Sequence, residues 1–138
     1  MKIAVIILSL VSMLICVNCA KYTGSSDCVP SADCYPYEID SGYVTIQVSY
    51  NTGGAGIPVV LYDGYAEDNV VIWYDTVYEE SVSFWLPTKK RYAAEAFYYA
   101  ATPQSIALDG KKLKEKSYND CGETCYEVNE IFLDLKQL

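Results

Sequence analysis

From Tyr43 to Leu135 the apolar residues of this chain recur with a period of two, and that period restricts the fold more than any other feature of the sequence. Val44, Ile46, Val48 and Tyr50 alternate with Thr45, Gln47 and Ser49, the pattern of a strand with one face buried and one face wet. Further strands are predicted at 57–62, 70–76, 81–86 and 91–100, where Ile57, Val59 and Leu61, then Val82, Phe84 and Leu86, then Tyr92, Ala94, Ala96 and Tyr98 each share a face. Pro58 suits a strand start or an edge, because proline donates nothing to a ladder. Residues 51–56 (Asn-Thr-Gly-Gly-Ala-Gly) and 87–90 (Pro-Thr-Lys-Lys) read as turns. Residues 106–108 and 111–118 flank Asp109-Gly110, a tight-turn signal, and 125–128 and 131–135 close the chain. No ten-residue window after position 20 carries a helical stripe. Short strands separated by turn signals predict an all-β fold, an antiparallel sandwich of seven to eight strands.

The first residues break this pattern. Met1-Lys2 precede an apolar run from Ile3 to Val17, interrupted only by Ser9 and Ser12. One early cation, an apolar stretch and then small or polar residues is the layout of a secretory signal peptide. As a helix the run would span roughly 22 Å, short of the ~30 Å hydrocarbon core. The sequence Ile15-Cys16-Val17-Asn18-Cys19-Ala20 resembles a bacterial lipoprotein signal, which implies a lipid on Cys19 and attachment to a membrane. Cleavage after Ala20, giving a secreted soluble protein, is the alternative. The predicted organisation is a signal over 1–19, a tether with a cysteine-pinned loop over 20–42 and a sandwich domain over 43–138.

A second resemblance rests on Gly56-x-Pro58-Val59-x-Leu61, then Val82-x-Phe84-x-Leu86-Pro87, then Tyr92-x-x-x-Ala96. Over about residues 43–100 this is similar to the prealbumin-like domains of the carboxypeptidase-regulatory and collagen-adhesin B-repeat type. Lys89-Lys90-Arg91 stand where those domains carry a glycine before the tyrosine. The mature chain also resembles small Bacteroidetes lipoproteins that end in an Asp-Gly turn followed by Cys-Gly-x-x-Cys-Tyr. These likenesses imply a Greek-key sandwich, prealbumin-like or immunoglobulin-like, in the bacterial cell envelope, periplasmic or on the surface. They transfer no catalytic residues and imply a binding or structural accessory role.

Cys28, Cys34, Cys121 and Cys125 follow the signal, an even number that reads as disulfides in an exported chain. The C-x5-C and C-x3-C spacings fit zinc poorly, and C-x3-C is one residue too long for a thioredoxin-like motif. Local pairing is expected, Cys28 with Cys34 and Cys121 with Cys125, the latter across a three-residue hairpin loop, Gly122 to Thr124. Each local bridge would contribute about 2 kcal/mol, against nearly 5 for a long-range link, so proximity and not energy carries that expectation.

The function classes narrow by what is missing. The chain has no His, which removes the commonest general base and metal ligand, and no Ser-x-x-Lys, so no nucleophile has an obvious base. Glu79-Glu80 are adjacent in one turn and cannot face each other across a cleft as glycosidase carboxylates do. A net charge of −8 argues against nucleic acid. The carboxylates of Asp63–Asn69 match no calcium loop, and no cofactor is expected. Lys112, Lys114 and Lys116 alternate as lysines do on a guarded edge strand.

The chain has 14 Tyr against 3 Phe and 2 Trp. Trp85 is out of phase with Phe84 and Leu86, and Trp73 with Ile72 and Tyr74, so one or both tryptophans should lie on an outer face. Trp73, Trp85, Tyr62 and Tyr65 are therefore the candidate ligand contacts, for a glycan or an envelope protein. A second apolar layer under the C-terminal hairpin is the alternative.

Overall fold

The computed structural model describes residues 28–50, 54–99 and 104–137. The expected signal over 1–19, with Cys16 and Cys19, and residues 51–53 of the expected turn lie outside the described residues. The chain divides into Met1–Pro30 and Ser31–Leu138; the second unit carries every described strand. These are β1 (Ser41–Val48), β2 (Ile57–Asp63), β3 (Val71–Val77), β4 (Ser81–Pro87), β5 (Arg91–Tyr98), β6 (Ser105–Lys112), β7 (Glu115–Asp120), β8 (Glu123–Val128) and β9 (Ile131–Leu135). They form sheets in the orders β4-β1-β9, β3-β2-β5-β6 and β7-β8.

The fold is an all-β sandwich, as the period of two implies. Val44, Ile46 and Val48 face Val59, Leu61, Ala94 and Ala96 across the interior, with Leu133 and Leu135 beside them, all buried. Val82, Phe84, Leu86 and Trp73 pack against this core. Tyr98 is buried with its polar end satisfied: its hydroxyl donates to the Leu135 carbonyl at 2.6 Å and accepts from the Ser49 N–H at 3.0 Å. Such pairing is what makes a core tyrosine tolerable.

Three sequence expectations change. Every ladder is antiparallel except β1–β9, which is parallel, and the described strands number nine. Asp109-Gly110 is not a turn, because β6 runs straight through it. Gly110 lies opposite Ala93, where a Cβ would come within 3.2 Å of the Ala93 Cβ and of the Arg91 guanidinium, so this glycine serves close approach. Asp109 accepts from the Gly110 N–H and reaches across to the Asp134 N–H of β9 at 2.9 Å. Burial opposes ionisation of Asp109. The two N–H donors and Lys111 outweigh it and hold the carboxyl below its usual range.

The real tight turn is Cys121-Gly122, with φ of 54° and 85°, between the paired residues Asp120 and Glu123. Two positive φ values in a two-residue loop match the right-handed twist of the flanking strands. This turn overturns the expected cysteine pairing. It places Cys125 opposite Tyr118, not opposite Cys121. Cys125 is fully buried and bonds to Cys34, with Cα atoms 5.0 Å apart and a sequence separation of 91. Cys28 and Cys121 are each disulfide-bonded as well. Residues 31–40 are thus part of the fold and not a free tether.

Candidate functional site

The outward face of β4-β1-β9 carries the residues out of phase with the core. Tyr43 and Trp85 are direct cross-strand partners, with ring centroids 4.7 Å apart at 73°. Trp85 is 60% exposed, as its phase against Phe84 and Leu86 requires. Below them Thr45 shares a hydrogen bond with Ser83 at 2.7 Å and donates to the Glu130 carboxylate.

A second wall rises beside this face. The β7–β8 hairpin bonds within the described residues to β-sheet partners only in its own two strands and at one isolated bridge, Tyr35 to Tyr126. The two Cys-Tyr dipeptides, 34–35 and 125–126, therefore meet twice, through the disulfide and through this bridge, where the Tyr126 N–H donates to the Tyr35 carbonyl at 2.9 Å. The Ser31 N–H donates to Asp120 at 2.7 Å, and the Ile39 N–H donates to Glu115 at 2.6 Å. Lys89 links Glu115 (2.9 Å) to Glu38 (2.7 Å). The Glu115 side chain is only 7% exposed, and the ammonium of Lys89 holds its carboxyl below the ordinary range. Lys89 itself has a φ of 65°, the left-handed region glycine favours, at the turn where the resembling domains carry glycine.

Between the two walls lies a groove of about 590 Å³. Tyr43, Trp85, Tyr35, Tyr118 and Tyr126 line it, with Asp33, Glu127, Glu130 and Asn129 among them. Aromatic faces with a few polar groups between them can stack on a flat, partly apolar ligand and fix its orientation by hydrogen bonds.

The other candidate residues sit elsewhere. Trp73 points inward and packs edge-on against Phe84 at 4.8 Å, so of the two tryptophans only Trp85 is on an outer face. Tyr62 lies on the outer face of β3-β2-β5-β6, but it is buried among Val60, Ala93, Ala66 and Phe97. Its hydroxyl donates to Glu95 at 2.8 Å; burial and then that carboxylate push it up to about 12. Tyr65 lies under Arg91, 4.5 Å from ring centroid to guanidinium carbon. The acidic loop folds on itself: Asp63 pairs with Lys90 at 2.6 Å and Asp68 accepts from the Tyr65 N–H. Among the described residues no group of three or more acidic or cysteine side chains is placed to hold a metal ion.

Sequence reasoning missed Tyr35, Tyr43, Tyr118 and Tyr126. Tyr43 was findable, since it is in phase with Thr45 and Gln47. The other three are brought in only by the disulfide and the hairpin. No family model, curated protein or solved structure matches the chain.

Proposed function

We propose that this chain is an exported, non-catalytic binding module of the bacterial cell envelope, attached to a membrane through a lipid on Cys19, with the groove beside Trp85 as its ligand site. The disulfides indicate an oxidising, extracytoplasmic environment. The observation that carries the binding reading is the aromatic-lined groove, in which Trp85 is 60% exposed. An exposed cluster of large rings costs solubility unless something occupies it. The absence of His supports a role without catalysis.

Of the two ligand classes, a glycan fits better than a folded protein. The groove volume lies within the ~300–1,000 Å³ of small-ligand sites, whereas a stable protein partner needs about 800 Å² of surface on each side. Two experiments test this reading. Cys19→Ala should move the protein from the membrane to the soluble fraction, and an unlipidated native chain beginning at Lys21 would refute the anchor. On an oligosaccharide array, wild type should bind and Trp85→Ala should not. Equal signals from the two would remove the groove from the function.

A further inference from the structure

The charges around the groove single out one class of ligand. Asp33, Glu127 and Glu130 line it, and among the described residues no Lys or Arg does. Two lysines of the flanking segments are already engaged. Lys116 stands across the ladder from Glu127 at 3.9 Å, in an exposed pair that water screens, and Lys89 is held between Glu38 and Glu115. Glu130 accepts from the Thr45 hydroxyl, which orients one of its carboxylate oxygens. The rings contribute in the same sense, because the faces of Trp and Tyr carry negative potential and attract cations within about 6 Å. A groove walled by aromatic rings and carboxylates is thus complementary to a positive charge carried on a flat, partly apolar body.

We infer that the groove binds an amino sugar whose nitrogen is free and protonated, within a short oligosaccharide, with a sugar ring stacked on Trp85 and its ammonium facing Glu130 and Glu127. The inference rests on the reading of the groove as a ligand site and adds the charge of what it takes. A neutral or acetylated sugar could stack on the same ring but would bring no positive charge to the carboxylates. A lysine-rich peptide would satisfy the carboxylates but offers no ring for Trp85.

Titration of the full mature chain with three probes separates these cases: a β-1,4-linked glucosamine hexamer, its fully N-acetylated counterpart, and hexalysine. The buffer is mildly acidic, so that the sugar and lysine amines are protonated. Calorimetry gives affinity. Tryptophan emission reports the site, since Trp85 is exposed and Trp73 is packed in the core. The glucosamine hexamer should bind at least tenfold more tightly than the acetylated form and weaken as salt rises. Glu130→Gln, which keeps an acceptor for Thr45, should lower affinity about tenfold with the fold intact, and Trp85→Ala should abolish the emission change.

Equal affinity for both hexamers would overturn the amine preference while leaving the ligand site standing. Tighter binding of hexalysine would replace the sugar with a basic polypeptide. No binding of any probe would overturn the inference, and the array experiment above would then decide the ligand site on its own.

Discussion

The two outer faces of the sandwich are built from the same alternation of residues and end up differently. The face of β4-β1-β9 has relief: a hairpin and a stapled loop stand beside it and make a groove. The face of β3-β2-β5-β6 has less, a depression of about 280 Å³ between Tyr65, Arg91 and Leu108. Ile72, Tyr74, Ile106 and Leu108 lie exposed on it, with only the short 3-10 turn Ala66–Asp68 and the Arg91–Tyr65 stack as local cover. A pleated sheet by itself presents a nearly flat surface. A two-stranded hairpin by itself is marginal in water. The difference between the faces is therefore a covalent one. The link from Cys34 to Cys125 holds a hairpin where sheet hydrogen bonds alone would not.

The largest effect should come from removing that link. Replacing Cys28, Cys34, Cys121 and Cys125 together by Ser frees the separation of 91 residues, which the chain-entropy model values at about 4–5 kcal/mol. Urea unfolding should show that loss, and amide exchange should rise at 31–40 and 115–128 before it rises in β2 and β5. Uniform loosening of both faces would mean that the staple supports the whole core and not the groove wall.

Leu113 is next. It is fully buried in the core between β6 and β7, its N–H donates to the Lys90 carbonyl at 2.9 Å, and its carbonyl accepts from the Lys89 N–H. Leu113→Ala should cost roughly 3 kcal/mol through the cavity it leaves. The loss should spread to both faces, unlike that of the disulfide variant, and a thermal melt together with exchange would tell them apart.

The faces should also respond to opposite ends of the pH scale. Glu115, on the groove side, has its folded-state pKa lowered by Lys89. Its contribution is present above the unfolded value of 4.5 and is lost as pH falls through the folded one. Tyr62, on the flat face, and Tyr92, in the core, are raised to about 12, chiefly by burial. Their contributions are intact below pH 10 and are lost between about 10 and 12. Glu115→Gln should flatten the acid limb of a stability profile and Tyr62→Phe the alkaline limb. A Glu115→Gln variant with an unchanged acid limb would show that the Lys89 pair does not help hold the loop.

Trp85→Ala should change stability least, by about 0.5 kcal/mol, because an exposed ring offers little burial to lose. A cost of several kcal/mol would make Trp85 a structural roof and not a contact surface.

Much of this was legible in the residues, and the exceptions share a cause. Strand positions followed from the period of two to within about two residues for β1 to β5, and the outward phase of Trp85 followed from Phe84 and Leu86. Asp109-Gly110 misled because a local turn signal competed with a tertiary requirement, the close approach of Ala93 and Arg91. The cysteine pairing misled because a turn of two residues, Cys121-Gly122, sets a different register from a loop of three. The far wall of the groove was beyond sequence reading. Tyr35 and Tyr126 lie far apart in the chain, and nothing local in either segment names the other.

The parallel pairing of β1 with β9 bears on how the molecule can assemble. β1 sits in the middle of its sheet, between β4 and β9. A chain that emerges N-terminus first delivers β1 early, yet one of its edges stays vacant until everything from Ser49 to Glu130 has followed. Through that interval the row Val44, Ile46 and Val48 lacks Leu133 and Leu135, and an open apolar edge invites strands from other chains. Closure across so long a stretch is slow compared with hairpin formation. A product that stops before Ile131 would keep the vacancy permanently, so truncation at this end should yield aggregates in place of a smaller folded domain.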